Sequence, residues 1–161
     1  MIKGSAKERL YRDFAISLTI RNETSFDPNG NAIVDRDPRD PGGTTKFGID
    51  QRDHADVRVE NLTLEDAVKI YQEDWEKNEV WKHEPCFAVA CMDLGTLFGR
   101  QLSQTFTTNA DTLERLRDMF YGRVQEIQNE NPSLGVFVRG WTNRIEHTYT
   151  FCLTLRSIYG E

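Results

Sequence analysis

The 161-residue sequence contains no apolar run long enough to cross a membrane, since a spanning helix needs about 20 consecutive apolar residues. Its N-terminal stretch, MIKGSAKERLYRDF, carries charges where a signal peptide needs an apolar centre. The expectation is synthesis in the cytoplasm without Sec-type export. Basic residues are in short supply, 20 against 26 acidic ones, for a formal net charge of −6. Phosphate backbones demand clustered Lys and Arg, so nucleic acid is not an expected partner. Only three cysteines are present, Cys86, Cys91 and Cys152, and no His or second Cys pair stands at zinc spacing. They read as buried free thiols. His54, His83 and His147 have no partner spacing and read as surface or packing residues. With no Cys–His pairing in a local motif and no phosphate-cradling glycine pattern, carboxylates remain as the candidates for chemistry.

What is present is ordinary globular material: 38% hydrophobic and 29% charged residues, enough chain for a core and most simply one domain. Residues 5–21 read as an amphipathic helix, with Leu10, Phe14 and Leu18 at i+4 spacing, Tyr11 and Ala15 alongside, and Lys7, Glu8, Arg12 and Asp13 facing water. Thr63 followed by Asp66 resembles a capping box opening a second helix, with an apolar stripe of Ala67, Val68, Ile70, Tyr71 and Trp75. Pro85 suits the first turn of a third helix reaching Leu102, and Gly95 and Gly99 within it read as close helix contacts. A fourth helix is expected over 109–129, capped near Asp111, with Pro132 and Gly135 breaking it. A last one is expected over 137–158. Trp75 and Trp141 fall on helix stripes and read as core residues; Trp81 is open to either packing or sugar stacking. The fold class is mainly α, with a long loop or short β-hairpin after the first helix.

That loop, Glu23 to Ile49, organises the chain. From Asp27 to Gly43 it has no periodicity, and Ala32-Ile33-Val34 reads as a brief strand. A loop this long inside a compact domain is usually functional or disordered. Glu23 sits where the first helix runs into it, at a C-terminal end whose dipole disfavours negative charge. Taken alone, an exposed Glu is the default; beside Phe26, Phe47 and Ile49 it is also a candidate acid for glycosidic cleavage. Asp27, Asn29, Asn31 and Asp35 fall at positions 1, 3, 5 and 9 of a calcium-loop spacing, with the Ile33 carbonyl at position 7. Gly30 stands at position 4 rather than 6, and Pro38 at position 12 replaces the bidentate Glu, so a plain Asx-rich turn is the competing reading.

Several motifs carry a resemblance. Glu23-Thr24-Ser25-Phe26-Asp27-Pro28 is similar to the E-S-G-F-x-P signature of soluble lytic transglycosylases and lysozyme-like folds. Asp37-Pro38-Arg39-Asp40-Pro41-Gly42-Gly43-Thr44-Thr45-Lys46-Phe47-Gly48-Ile49 matches throughout the D-P-x-D-P-G-G-x-T-x-x-G-I pattern of glycoside hydrolase family 108, the bacterial and phage N-acetylmuramidases. Leu64 to Trp75 resembles that family's L-x-x-A-x-x-I-Y-x-x-x-Y/W helix, and Met92-Asp93-Leu94-Gly95 its apolar-Asp pair. Phe137-Val138-Arg139-Gly140-Trp141-Thr142-Asn143-Arg144 looks like the F-x-x-G-W-x-x-R signature of the associated C-terminal peptidoglycan-binding segment. Two departures stand out: the family's two glycines after the Glu are Thr24 and Ser25 here, and the spacer from Glu23 to Asp37 is longer.

The resemblance implies one lysozyme-like domain spanning 1–161, with residues 1–108 its catalytic part and residues 109–161 a helical, peptidoglycan-binding part. It implies an endolysin-like muramidase cutting the MurNAc–GlcNAc bond of peptidoglycan, with Glu23 as general acid and no cofactor. A lytic transglycosylase and a non-catalytic wall-binding relative are the alternatives. Asp40 is read either as a turn-capping residue or as a second carboxylate, and Thr45 either as a substrate- or water-positioning residue or as an ordinary strand Thr. The expected partner is peptidoglycan, met at the cell wall after release, and a monomer is expected.

Overall fold

The computed structural model describes residues 5–36 and 43–160. The Asp37–Gly42 half of the turn motif, Asp40 included, lies outside the described residues. Helix α1, Ala6–Glu23, opens on a capping box: the Ser5 hydroxyl accepts from the Glu8 amide at 3.2 Å, and the Glu8 carboxylate accepts from the Ser5 amide. Its buried stripe is rotated from the expected one. Tyr11, Ala15 and Leu18, at i, i+4 and i+7, face the core with Ile16 and Thr19, while Leu10 is exposed. Arg12, expected to face water, is buried and paired with Asp13 at 2.8 Å. Phe14 is only half-buried, its ring set edge-on to Phe151 at 6.2 Å.

After α1 the chain makes single bridges from Phe26 to Ala32 and from Asp35 to Thr45, so the strand expected at 32–34 does not form as a regular one. The true hairpin comes later: β1, Thr45–Lys46, pairs antiparallel with β2, Ile49–Asp50. Its two-residue turn is Phe47-Gly48, with φ of 57° and 75°. Positive φ at both central residues is the twist-matched hairpin geometry, which Gly adopts freely and Phe does not. Buried Phe47 is held there by packing, and Lys46 Nζ ties the hairpin down by donating to the Leu62 carbonyl at 2.8 Å.

The capping box at Thr63 and Asp66 forms as expected, with the Thr63 amide donating to Asp66 Oδ2 at 3.0 Å, and opens α2, Leu64–Lys77. Ala67, Tyr71 and Trp75 are its buried face. Helix α3, Pro85–Phe98, is the centre of the fold: every residue from Cys86 to Gly95 is buried, and α1, α4 and α6 pack around it. The expected continuation to Leu102 fails at Gly99, whose φ of 93° ends α3 and starts α4, Arg100–Asn109. Gly99 is thus a breaker, with open space where a Cβ would stand, whereas Gly95 is a close contact, its Cβ position 2.9 Å from Arg100 Nη1.

Helix α5, Leu113–Glu130, is capped by Thr112 rather than Asp111, and α6 spans Gly135–Tyr159. A 3-10 turn at Pro132–Leu134 separates them, so Gly135 begins a helix rather than breaking one. Phe120 is fully buried between Phe98 and Phe106, at centroid distances of 5.2 and 5.1 Å. All three cysteines are buried and unoxidised; Cys86 and Cys152 each donate a thiol hydrogen to the other's carbonyl. Trp75 is core, while Trp141 is half-buried. Among the described residues no helix is long and apolar enough to cross a membrane.

Candidate active site

Glu23 is the last residue of α1, and its side chain keeps a quarter of its surface exposed. The helix ends there because Thr24 turns extended, at φ −105°, and its hydroxyl donates back to the Ile20 carbonyl at 2.5 Å. Thr24 and Ser25 both keep negative φ. The backbone at these two positions therefore asks for no glycine, which explains how the chain accommodates Thr and Ser there.

Three elements close on Glu23. From the hairpin comes Gly48: a Cβ at this position would lie 2.6 Å from Glu23 Cβ and 2.8 Å from the Tyr71 hydroxyl. No L side chain fits that gap, on top of the positive φ. Tyr71 of α2 fixes the turn by donating its hydroxyl to the Phe47 carbonyl at 2.9 Å. Burial, and then the Glu23 charge, push the Tyr71 phenol far above its ordinary value, so it is a constant donor.

From α3 and α6 comes a charged network. Glu23 Oε1 accepts from the Thr96 hydroxyl and from Arg144 Nη1, both at 2.9 Å. Arg144 turns its other edge to Asp93, which is fully buried: Nε donates to Oδ2 at 3.0 Å and Nη2 to Oδ1 at 2.9 Å. Asp93 also accepts from Asn22 Nδ2 at 3.1 Å and from the Thr148 hydroxyl at 2.5 Å. A buried carboxylate is tolerated only when paired and hydrogen-bonded, and four donors meet that need. Burial pulls the Arg144 guanidinium down, but the Asp93 and then the Glu23 charges more than offset it and hold it above its ordinary value.

Thus the helix end, where the dipole disfavours a negative charge, is supplied with a fixed cation from the far end of the chain. A groove of about 420 Å³ runs along the loop and hairpin, lined among others by Phe26, Asn31, Lys46, Phe47, Leu62 and Leu64; Glu23 is not part of its lining. Phe26 and Leu64 are more than half exposed there. An exposed apolar floor with polar edges suits a ligand that is itself amphipathic.

The other residues singled out from the sequence fall elsewhere. Thr45 is in β1, its main chain paired with Asp35 and Asp50. Asp40 lies outside the described residues. Asp27 closes an Asx turn: Oδ1 accepts from the Asn29 and Asn31 amides at 2.9 and 2.8 Å, and Oδ2 from Asn31 Nδ2 at 3.1 Å. These bonds, the Asn31 amide foremost, hold its carboxyl below the usual range. Asp35 is 2.9 Å from Thr45 by main-chain bonds in both directions, in a bridge separate from the Asx turn of Asp27, Asn29 and Asn31.

Sequence reasoning quoted Asp93 and Arg144 without giving either a part at Glu23, and missed Thr96, Asn22 and Thr148. The signal for Asp93 was present: it is the one charged residue in PCFAVACMDLGTLF, and a charge in so apolar a helix requires a buried partner. No local pattern names that partner, which lies 51 residues away.

No curated protein and no solved structure matches the chain. The family description Glycosyl hydrolase 108 matches residues 30–99, a span that takes in the hairpin, α2 and α3 but begins after Glu23. With that match and the sequence motifs in agreement, the chain carries a segment similar to glycoside hydrolase family 108 over residues 30–99.

Proposed function

We propose that the protein is an N-acetylmuramidase that hydrolyses the MurNAc–GlcNAc bond of peptidoglycan, with Glu23 as general acid. The observation that carries this reading is the placement of Glu23: a part-exposed carboxylate at a helix end, fixed on one oxygen by Thr96 and Arg144 and backed by Gly48. Such a group has a defined direction in which to deliver a proton. Protonated Glu23 gives its proton to the glycosidic oxygen as the bond from C1 breaks. Water then adds to C1 of the oxocarbenium-like centre and releases a proton, so one water is consumed per bond cut. The reaction as written uses only side chains and water.

Residues 109–161 are read as the part that grips the wall. Supporting this, Phe137 is half exposed at the start of α6 and stacks on Trp141 with centroids 5.9 Å apart, beside the exposed Val136. An endolysin-like role at the cell wall fits the glycoside hydrolase 108 segment.

Products test the reading. Purified peptidoglycan digested with the protein should release fragments ending in reducing MurNAc, each one water heavier than the anhydro product of a lytic transglycosylase. Anhydro-MurNAc ends would replace the hydrolase by a transglycosylase, and no fragments at all would leave a wall-binding protein.

A further inference from the structure

We infer that Arg144, clamped by buried Asp93, is a positioning residue for the cleavage: it fixes which oxygen of Glu23 faces the substrate. The inference rests on the reading of Glu23 as the acid.

The geometry has three parts. Arg144 is nearly buried, with 12% of its side chain exposed, and its guanidinium is used on two edges at once. The edge toward Asp93 is a two-point fork that admits only one orientation of the guanidinium plane. The remaining nitrogen, Nη1, is then delivered to Glu23 Oε1 at 2.9 Å. Thr96 occupies the same oxygen, and its own oxygen accepts from Arg144 Nη2 at 3.1 Å. Oε1 is therefore filled, and the proton that reaches the glycosidic oxygen rides on Oε2.

The charge has a second consequence. When Glu23 gives up its proton it becomes anionic, and Arg144 is in place to stabilise that anion without rearrangement. Asp93 keeps Arg144 in place for this through the two-point fork. The other groups near Glu23 are Tyr71 from α2 and, behind Tyr71, the Arg100–Asp74 pair of α4 and α2, 3.9 Å apart. Gly48, the hairpin's contact with Glu23, brings no charge.

In Arg144→Met the bond from Nη1 to Oε1 is lost, and in Asp93→Asn the fork that orients Arg144 is lost, so both should lower kcat with KM near wild type. A residue that merely held the fold together would not split kcat from KM in this way.

The test is the rate of reducing-end release from purified peptidoglycan, with kcat and KM separated, for wild type, Arg144→Met, Asp93→Asn, Arg144→Lys and Glu23→Gln. The expected result is kcat of Arg144→Met down on the order of a hundredfold from lost alignment, with a smaller kcat loss in Asp93→Asn and KM near wild type in both. Arg144→Lys, which keeps the charge but not the fork, should hold the wild-type KM and lose kcat. If the first two variants fail to fold, Arg144→Lys decides: wild-type kcat there overturns the inference. Near wild-type kcat in folded Arg144→Met overturns it as well. Should Glu23→Gln stay active, the reading of Glu23 as the acid fails first; should it be inactive while the Arg144 variants behave as wild type, only the present inference fails.

Discussion

At the scale of single residues, the site depends on fits that leave no room for substitution. Gly48 combines a left-handed backbone with a Cβ position only 2.6 Å from Glu23. Gly48→Ala should cost about 1–2 kcal/mol for the backbone alone, and should push Glu23 out of line besides. The expected outcome is a lowered melting temperature together with a loss of wall lysis larger than the stability change explains; a variant with wild-type rate would mean the hairpin does not seat Glu23. The glycine was visible in the motif from Asp37 to Ile49, but its reason was not, because the atom it avoids belongs to a helix 25 positions earlier. The same limit applies to Arg144. Its partner Asp93 announces itself as a charge in an apolar helix, yet the pairing spans 51 residues and leaves no periodic trace in the sequence.

At the scale of elements, local signals succeeded where they are self-contained. Thr63 and Asp66 cap α2, Pro85 starts α3, and Glu23 ends α1, each by contacts within a turn or so of chain. They failed where conformation depends on surroundings. Gly95 and Gly99 look alike in sequence, but only Gly99 takes positive φ and breaks the helix. Leu10 and Tyr11 compete for the core face of α1, and the Tyr11 ring wins by meeting Phe14 and Tyr159 edge-on. The aromatic cluster that joins α3, α4 and α5 gives a quantitative expectation. Phe120→Ala removes a fully buried ring between Phe98 and Phe106 and should cost about 3–5 kcal/mol in denaturant unfolding; a cost under about 1 kcal/mol would mean the three helices are not packed through it. On α1, the fully buried Thr19 hydroxyl finds no hydrogen-bond partner among the described residues. Thr19→Val, which replaces it by a methyl group of similar volume, should therefore raise the melting temperature, and a lowered one would show the hydroxyl to be satisfied.

At the scale of the whole molecule, α6 folds back so that the C-terminal part of the chain supplies Arg144 to the carboxylate that ends the first helix. The site is intact only while α6 is packed in the fold, so conditions that unfold the chain should silence it. Acid is such a condition. Half-buried His83 is held below its ordinary value by burial, so the unfolded chain binds the extra proton more readily than the folded one. Its contribution is present above the ordinary His value and is lost as pH falls through and below it. Asp66, held below its ordinary value by bonds from Thr63, adds a second loss at lower pH, as the cap of α2 is protonated. Melting temperature should thus fall in two stages on acidification, and His83→Gln should remove the upper stage.

The most direct test of the account is wall cleavage by Glu23→Gln beside wild type, read as reducing ends released from purified peptidoglycan, with circular dichroism to establish the fold. Gln keeps the shape and can still accept from Thr96 and Arg144 through its carbonyl, but it cannot give up a proton as an acid. The account predicts an unchanged spectrum and a rate lower by roughly a hundred- to ten-thousand-fold; a folded Glu23→Gln protein cutting at the wild-type rate would contradict it.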